Sequence, residues 1–391
     1  MAVADGDDYV APDVALRAPG KEKLRAGILG VSGAAGQQFL SALQEHPQFQ
    51  VTRVYGQSSA GKRLSEIERY VDFDPKLEEL IIEEPKVDED LDLVFSALPS
   101  EPARELEAMF ARHIPVISVS SAYRYEKNVP ILIPEVNEQH AEIIIQQQIS
   151  RGWDGFIVPG PNCTVVPVAI TLAALREFEP KKVSYSSFQA VSGAGIENLR
   201  LFGEQILLED RGVKLEDDSP VFAYNIIPNI DGEERKVRDE LNKILGEYDG
   251  FDGGAIVPAQ IKVGGTCVRV PVKFGHTLTL DVKTKKDIDP EKAMRAFEKF
   301  NEYCNDMFGS LHSSPEKTIT IMPEESRPPQ PYLDAELDGG MTTCVGRIRR
   351  SDIFAKGIQY VALSNNLKKG AAKGAVQTAE FLVRDGYIQK K

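Results

Sequence analysis

The sequence is poor in cysteine and histidine. Its 391 residues include four cysteines, with no Cys-x-x-Cys pair, and five scattered histidines. This pattern excludes a disulfide-stapled scaffold and a zinc finger, and it offers no spacing typical of metal ligands. We therefore expect no metal, and a reducing, cytoplasmic location.

Long hydrophobic runs and an excess of basic residues are also missing. The longest apolar run, near residues 164–175, is too short to cross a bilayer. The polar, acidic N-terminus does not have the pattern of a secretory signal. The 46 Lys and Arg against 59 Asp and Glu give a net charge of −13, which disfavours nucleic-acid binding. We expect an enzyme with a small-molecule substrate and no membrane or nucleic-acid partner, long enough for two domains.

The first part of the chain alternates strands with helices. Strands are predicted at residues 24–29, 50–55, 91–97 and 115–118, and helices at 37–43 and 103–112. This alternation predicts an α/β domain with a Rossmann-type parallel sheet. Residues 1–22 have no sustained periodicity, and we interpret them as a flexible arm, or alternatively as a segment docked on a neighbouring subunit.

The pattern of predicted strands and helices changes after about residue 160. Extended runs are predicted at 183–190, 265–274, 277–283 and 341–350, with helices at 165–177, 290–307 and 369–384. Asp289 is the predicted cap of the 290–307 helix, and Pro290 its first residue. These elements predict an α+β catalytic and dimerisation domain with a largely antiparallel sheet. We predict an NADP-binding domain over 23–160, the second domain over 161–345, and a C-terminal segment, 346–391, that returns to the first.

A glycine loop follows the first predicted strand and precedes a helix. Gly30, Gly33 and Gly36 let the backbone approach a pyrophosphate, and the helix start supplies free N–H groups. The alternative is a tight turn with no ligand. The second strand is followed by Ser58, Ser59 and Lys62 with no carboxylate, a surface that suits a 2′-phosphate. We therefore predict NADP rather than NAD; the alternative is an ordinary polar loop.

Cys163 lies in a Pro- and Gly-rich turn directly before an apolar helix. A helix N-terminus favours the thiolate and lowers the thiol pKa, which predicts a nucleophile. Asn162 could donate to an oxyanion. A nucleophilic cysteine beside a dinucleotide fold predicts thioester chemistry coupled to hydride transfer. The alternative is a small buried cysteine, which suits Cys267, Cys304 and Cys344 better.

The catalytic base is predicted to be His276. It follows Gly275 at a turn between two extended runs, and imidazole can accept a proton near pH 7. The alternative is an ordinary turn residue. The other histidines are interpreted as surface residues of helices or loops: His46, His113, His140 and His312.

Together these residues resemble the aspartate-semialdehyde dehydrogenase family, most closely its archaeal and fungal branch. About 360 residues are covered by several matching motifs, among them the glycine loop, 93–100 (LVFSALPS), 161–164 (PNCT), 188–195 (FQAVSGAG), 232–246, 267–276 (CVRVPVKFGH) and 370–372 (GAA). The resemblance implies reversible, NADPH-dependent reduction of an acyl phosphate to an aldehyde. It also implies a homodimer or homotetramer.

The resemblance assigns roles to individual residues. It implies Cys163 as nucleophile, His276 as acid/base, Gln189 as the residue that orients substrate, and Arg269 as the fork for the substrate carboxylate. Its further implications are Glu233 facing the substrate amine, phosphate binding by Arg124 and Lys236, and a cofactor site formed by Gly30, Ser32, Gly33, Ala34, Ala35, Gly36, Ser58, Ser59, Lys62, Ser96, Ala97, Leu98, Pro99, Ser192, Gly193 and Asn366. Taken alone, Arg124, Glu233 and Lys236 would be solvated surface charges.

Departures from the family pattern cluster around the leaving group, the cofactor pocket and the substrate lid. Pro159-Gly160 stands where Thr-Asn is usual, residues 196–230 are longer and more acidic than expected, and Lys369 replaces an arginine. These departures keep malonyl-CoA reductase open as the alternative on the same scaffold. N-acetyl-γ-glutamyl-phosphate reductase is a more distant relative, and a regulator without turnover is disfavoured by the complete Cys163, Gln189, His276 and Arg269 set.

Overall fold

The computed structural model describes residues 22–215, 220–250, 254–324 and 326–391, and these ranges fold around two six-stranded sheets. The predicted N-terminal arm lies outside the described residues, apart from its last position. No helix within the described ranges is long and apolar enough to cross a membrane.

The first sheet is parallel throughout, as the alternation of strands and helices predicts. The strands and helices of this part are β1 (Leu24–Leu29), α1 (Ala34–Leu43), β2 (Phe49–Tyr55), β3 (Ile82–Glu83), β4 (Leu93–Ser96), α2 (Ser100–Ala111), β5 (Val116–Ser118), α3 (Pro134–Asn137), α4 (Ile143–Arg151) and β6 (Ile157–Pro159). The strand order β3-β2-β1-β4-β5-β6 sets the carboxyl ends of β2, β1 and β4 side by side. A doubly wound sheet binds its ligand at that edge, where the strand order reverses.

The second sheet is mixed, with the order β10-β7-β11-β14-β13-β12. The elements after the first sheet are α5 (Val165–Ala174), β7 (Pro180–Gln189), α6 (Ile196–Asp210), α7 (Glu233–Ile244), β8 (Glu247–Asp249), β9 (Ala255–Val257), β10 (Lys262–Arg269), β11 (His276–Thr284), α8 (Pro290–Phe308), β12 (Ile319–Met322), α9 (Pro331–Asp334), β13 (Thr343–Arg350), β14 (Gly357–Ser364) and α10 (Ala372–Arg384). The three central pairings are antiparallel and the two outer ones parallel. The predicted largely antiparallel sheet is confirmed, with a parallel strand at each edge.

Helices α5, α7 and α8 cover one face of the second sheet. Every residue of α5 is buried, and side chains of α5, α7 and α8 share one apolar core with the sheet. Burial on all sides explains why α5 is apolar at every position except Thr171, whose hydroxyl bonds the helix backbone. At the start of α8, Asp289 accepts a hydrogen bond from the backbone of Lys292 (2.8 Å), the predicted cap.

Several element ends differ from the prediction by a few residues, and two of these differences have a clear local cause. The helix predicted to reach residue 177 ends at Ala174, because a 3-10 turn and Glu179, with φ of 53°, redirect the chain into β7. The strand predicted to reach residue 274 ends at Arg269, since Pro271 has no N–H for a sheet ladder.

The chain returns to the first domain at its C-terminal end. Val376 and Phe381 of α10 share a core with Phe39 and Leu40 of α1. Strand β13 spans the predicted domain boundary after residue 345, so the chain as far as Ser364 lies in the second sheet.

Two histidines predicted to lie on the surface are fully buried. His46 bonds Glu380 of α10 (Nε2 to Oε1, 2.6 Å), and His140 lies 3.0 Å from the carbonyl oxygen of Gly246. The surface interpretation is wrong for both. Glu380 and Gly246 are distant in the chain, so the local sequence does not show that they bury these rings. His113 and His312 are exposed.

Candidate active site

Cys163 lies in the turn that leads from β6 into α5. The Asn162 side chain caps this turn, because its Oδ1 accepts from the backbone N–H of Thr164 (2.8 Å). Cys163 is partly exposed, whereas Cys267, Cys304 and Cys344 are buried. The turn therefore presents one accessible thiol at the start of a helix.

His276 begins β11 and faces Cys163 from the second sheet. Its Nε2 lies 3.3 Å from Cys163 Sγ, and the backbone N–H of Ala190 donates to its Nδ1 (3.1 Å). Gly275, with φ of 90°, forms the turn that presents the ring. The structure thus brings together the predicted nucleophile and base, which are separated by 113 positions in the sequence.

The surroundings keep this pair neutral near pH 7. Burial raises the pKa of the Cys163 thiol to about 12, and the nearby Glu233 carboxylate acts in the same direction. Burial, aided by the charge of Arg269, lowers the pKa of His276 to about 3. The lowered thiol pKa expected from the helix start is therefore wrong, since desolvation outweighs the helix dipole here.

The Glu233 carboxylate accepts hydrogen bonds from four side chains near the thiol. Its Oε1 accepts from Asn162 Nδ2 (2.9 Å), Thr164 Oγ1 (3.1 Å) and Gln189 Nε2 (3.4 Å), and its Oε2 accepts from Lys236 Nζ (3.3 Å). Burial opposes ionisation, but the bonds from Asn162 and Lys236 outweigh it and hold the pKa of Glu233 below its usual range. The Asn162 amide thus donates to Glu233 in this structure.

Arg269 ends β10 and completes the wall opposite Cys163. It is buried, and its Nη1 donates to the carbonyl oxygen of Ala190 (2.7 Å). Gly193 packs so closely that a Cβ there would lie 2.9 Å from Arg269 Nη1 and 3.1 Å from His276 Nε2. A side chain at this position would therefore push on both the Arg269 guanidinium and the His276 ring.

Arg124 is buried rather than solvated, which overturns the surface interpretation. Its Nη1 pairs with Glu240 (3.2 Å), and its Nη2 donates to the carbonyl oxygens of Val119 and Pro161. Glu233 is likewise buried. Lys236 is about one-third exposed and lies 3.3 Å from Glu233.

The predicted cofactor residues between Gly30 and Pro99 lie at or after the carboxyl ends of β1, β2 and β4, whereas Ser192, Gly193 and Asn366 follow strands of the second sheet. A Cβ on Gly36 would collide with the Gly30 carbonyl oxygen, so the helix can approach the strand only with glycine there. No side chain caps the start of α1 at Gly33, which leaves first-turn N–H groups for a phosphate. The Ser59 hydroxyl is buried and has no partner among the described residues. These features fit a dinucleotide.

The remaining predicted cofactor residues join this edge to the thiol. Ala97 and Leu98, which follow β4, contact the Gly30 turn. The Asn366 amide donates to Ser192 Oγ (2.9 Å) and accepts from the backbone of Gly275 (2.9 Å). Asn366 therefore fixes Ser192 and the turn before His276 relative to each other.

Three residues at the site were not singled out from the sequence. Thr164 bonds Glu233, Glu240 bonds both Arg124 and the backbone of Asn162, and Gly370 packs so that a Cβ there would lie 2.9 Å from the Cys163 Cβ. Gly370 belongs to the quoted Gly-Ala-Ala motif, which could have drawn attention to it. Thr164 and Glu240 also lie inside quoted motifs, 161–164 and 232–246, but the pairing of Glu240 carries no local signal because its partners are distant in the chain.

Family models cover most of the described fold. The model of the semialdehyde dehydrogenase NAD binding domain matches residues 25–144, and that of the semialdehyde dehydrogenase dimerisation domain matches residues 172–369. The chain belongs to the semialdehyde dehydrogenase family. The family resemblance drawn from the motifs is thereby confirmed.

Individual relatives align with this chain over nearly their whole length. An aspartate-semialdehyde dehydrogenase of Methanothermobacter thermautotrophicus is 36% identical, covering 92% of this chain and 99% of the relative. A malonyl CoA reductase (NADP) of Metallosphaera sedula is 32% identical, covering 95% and 100%. The crystal structure of aspartate semialdehyde dehydrogenase with NADP from Candida albicans superposes with a TM-score of 0.79 at 29% identity, covering 94% and 100%.

Proposed function

We propose that the chain catalyses the reversible, NADPH-dependent reduction of L-aspartyl 4-phosphate to L-aspartate 4-semialdehyde, with release of phosphate. The observation that carries the proposal is the 3.3 Å approach of Cys163 Sγ to His276 Nε2 beside the buried Arg269 and Glu233. A thiol, an imidazole, a cation and an anion in one cleft suit an acyl substrate that also bears a carboxylate and an amine.

The reaction begins at Cys163. Its sulfur bonds to the acyl carbon, and the carbon–oxygen bond to phosphate breaks, so that an enzyme thioester forms. The thiol proton leaves with the phosphate. His276, whose Nδ1 accepts from the backbone of Ala190, hydrogen-bonds the sulfur and the substrate oxygen through Nε2, and it relays the solvent proton that returns to the sulfur as the aldehyde leaves. The cofactor, when bound, supplies the hydride that reduces the thioester.

The charged groups orient the substrate. Arg269 holds the substrate carboxylate, and Glu233 faces its amine, with Gln189 placed between Glu233 and Ser187. Arg124 and Lys236 bind the phosphate that leaves or attacks. Binding the two ends of the substrate fixes the acyl carbon over the sulfur, which raises the effective concentration of the thiol.

The cofactor is proposed to be NADP. The glycine loop and the uncapped start of α1 would hold the pyrophosphate, while Ser58, Ser59 and Lys62 would take the 2′-phosphate. The similar Candida albicans enzyme was crystallised with NADP, and the Metallosphaera sedula relative is a malonyl CoA reductase (NADP).

Self-association as a homodimer or homotetramer is part of the proposal. The dimerisation-domain match over 172–369 supports it, as does the outer face of the second sheet, which includes the exposed Ser184, Thr279 and Arg349. The cytoplasm is the proposed location, because the four cysteines are free.

Malonyl-CoA reduction is the second candidate. The Metallosphaera sedula relative and the altered residues before Cys163 favour it. Malonyl-CoA would offer the same carboxylate to Arg269 and the same thioester chemistry to Cys163, but it has no amine for Glu233, and its leaving group is a thiol rather than the phosphate proposed for Arg124.

The two candidates are separated by following absorbance at 340 nm. One assay contains L-aspartate semialdehyde, phosphate and NADP, and the other malonyl-CoA and NADPH. We expect turnover in the first only, dependent on phosphate, and none for Cys163→Ala, which should still bind NADPH. Cys304→Ala, a buried cysteine outside the site, should keep its activity. Turnover only with malonyl-CoA would replace the proposed substrate and leave the Cys163 chemistry in place.

A further inference from the structure

Glu240 of α7 is a buried carboxylate with contacts on two sides. Its Oε2 accepts from the backbone N–H of Asn162 (2.7 Å), directly before the nucleophile. Its Oε1 accepts from Arg124 Nη1 (3.2 Å) and from the Tyr125 hydroxyl (3.3 Å). Its exposed fraction is 0%, so water cannot replace any of these partners.

Helix α7 therefore holds the Cys163 turn at two points. Glu233, at the start of the helix, bonds the Asn162 side chain (2.9 Å), and Glu240, two helical turns later, bonds the Asn162 backbone. Residues seven apart lie on one face of a helix. A shift of α7 would consequently move the turn that carries the thiol.

The same carboxylate sets the position of Arg124. The guanidinium donates to Glu240 through Nη1 and to two backbone carbonyl oxygens through Nη2, and its side chain is 7% exposed. Its Nε is buried and has no partner among the described residues. Because a buried guanidinium needs an anionic partner, Glu240 keeps this one beside the Cys163 turn.

We propose that Glu240 is a positioning residue that fixes the Arg124 guanidinium and the Asn162–Cys163 turn relative to each other, and so sets phosphate affinity next to the thiol. The proposal rests on the function proposed above. The carboxylate does not touch the substrate, and it acts through the geometry of the two groups that it joins. Neither the family models nor the relatives' names assign it a role.

Glu240→Gln separates positioning from simple charge balance. The amide offers one acceptor oxygen in place of two, and its NH₂ group faces a donor, so one of the two anchors is lost. If Glu240 only neutralised Arg124, its removal would strengthen anion binding. Positioning predicts the opposite, a rise of about tenfold in the KM for phosphate, with the KM for the semialdehyde changed less than about twofold.

A second measurement needs no turnover. Inorganic phosphate bound beside Cys163 should slow alkylation of the thiol by iodoacetamide, and we expect the half-protecting phosphate concentration to rise about tenfold in Glu240→Gln. Asp239→Asn, an exposed carboxylate on the same helix, is the matched control and should behave like the unmodified chain. If Glu240→Gln does not fold, Glu240→Asp, one methylene too short to reach both partners, should move protection in the same direction.

The outcomes separate this inference from the proposed function. No turnover of L-aspartate semialdehyde by the unmodified chain would reject the proposed function, whereas the alkylation assay would still test Glu240. Unchanged or tighter phosphate protection in a folded Glu240 variant overturns the inference, as does the absence of phosphate protection in the unmodified chain. An equal rise in the KM values for phosphate and semialdehyde also overturns it, because a general loss of structure has that signature.

Discussion

At the scale of single residues, the candidate site works through burial. Cys163 and His276 lie within hydrogen-bonding distance, yet desolvation favours the neutral form of each. The resting pair is therefore a thiol beside an imidazole rather than a thiolate beside an imidazolium. The Cys163 thiol therefore loses its proton only as its sulfur bonds to the substrate.

The alkylation rate of Cys163 should report this state. Because the thiol pKa is raised to about 12, the thiolate fraction rises about tenfold per pH unit from pH 7 to 10. We expect iodoacetamide alkylation of the cofactor-free protein, followed by mass spectrometry of the Cys163 peptide, to accelerate throughout this range. A plateau near neutral pH would instead reveal a thiolate–imidazolium pair.

Arg269→Lys should mainly weaken substrate binding. A lysine ammonium cannot reproduce a bidentate contact with a carboxylate, nor hold the Ala190 carbonyl oxygen at the same time. We expect the KM for the semialdehyde to rise about tenfold or more, with kcat changed less. Steady-state kinetics measure the effect, and Arg238→Lys on the exposed face of α7 serves as control. Unchanged kinetics for Arg269→Lys would remove Arg269 from the substrate site.

At the scale of elements, helix starts and strand ends place the chemistry. The carboxyl ends of β1, β2 and β4 meet at the glycine loop, while β10 and β11 deliver Arg269 and His276 to the cleft. Helix α7 then holds the turn that carries Cys163, because Glu233 and Glu240 both bond Asn162. The precision of the site depends on how closely these elements pack.

Gly36→Ala tests the packing of α1 on β1. A Cβ at this position would overlap the Gly30 carbonyl oxygen, so we expect a loss of about 1–3 kcal/mol in the free energy of unfolding and weaker NADPH binding. Denaturant titration and NADPH fluorescence measure the two effects. Gly203→Ala in α6, where nothing lies within 4 Å of an added Cβ, should leave NADPH binding intact and stabilise by up to about 1 kcal/mol. Equal behaviour of the two variants would contradict the packing argument.

Glu107 of α2 should make stability depend on pH. Its Oε1 accepts from Ser96 (2.7 Å) and Ser118 (2.5 Å), and burial raises its pKa to about 7. The folded state therefore holds a proton that the unfolded chain loses at lower pH. Stability from this group is full below the unfolded pKa and is lost as the pH rises towards 7.

Glu107→Gln isolates that effect. We expect the stability difference between the variant and the unmodified chain to grow in favour of the variant by about 3 kcal/mol from pH 4.5 to pH 8. Denaturant titrations at several pH values give the difference, in which the titration of other groups cancels. Glu105→Gln, on the exposed face of the same helix, should show no such trend. A pH-independent difference for Glu107→Gln would show that the carboxyl titrates normally.

At the scale of the whole molecule, the two sheets divide the work. The first provides the cofactor edge, and the second provides the strands that carry Arg269 and His276 and also the outer face that we propose for self-association. Helix α10 ties them together, because it packs on α1 of the first domain directly after the Gly370 segment that touches Cys163.

Self-association should proceed through the outer face of the second sheet. We expect analytical ultracentrifugation to give at least twice the chain mass of 43.2 kDa. Val361→Glu in β14, a partly exposed position, should shift the protein towards monomer, because a carboxylate in a buried interface costs several kcal/mol. Val257→Glu, exposed in β9, should not. A dimer that tolerates Val361→Glu would place the interface elsewhere.

The sequence alone determined the features that depend on neighbouring residues. Strand and helix alternation predicted the parallel sheet, the glycine spacing predicted the tight loop before α1, and the Pro- and Gly-rich turn placed Cys163 at a helix start. The motifs gave the family resemblance, and that resemblance assigned roles to Arg269 and His276. Each of these signals is local because steric limits and side-chain periodicity act within a few residues.

Only the tertiary structure decided burial and long-range pairing. Arg124 and Glu240 are 116 positions apart, and His46 and Glu380 are 334 apart, so no local pattern could predict that these groups are buried together. The same holds for the Cys163 pKa, which the helix start alone would lower and which the assembled cleft raises. Electrostatic free energy depends on what surrounds a charge in space, and the fold alone provides those surroundings.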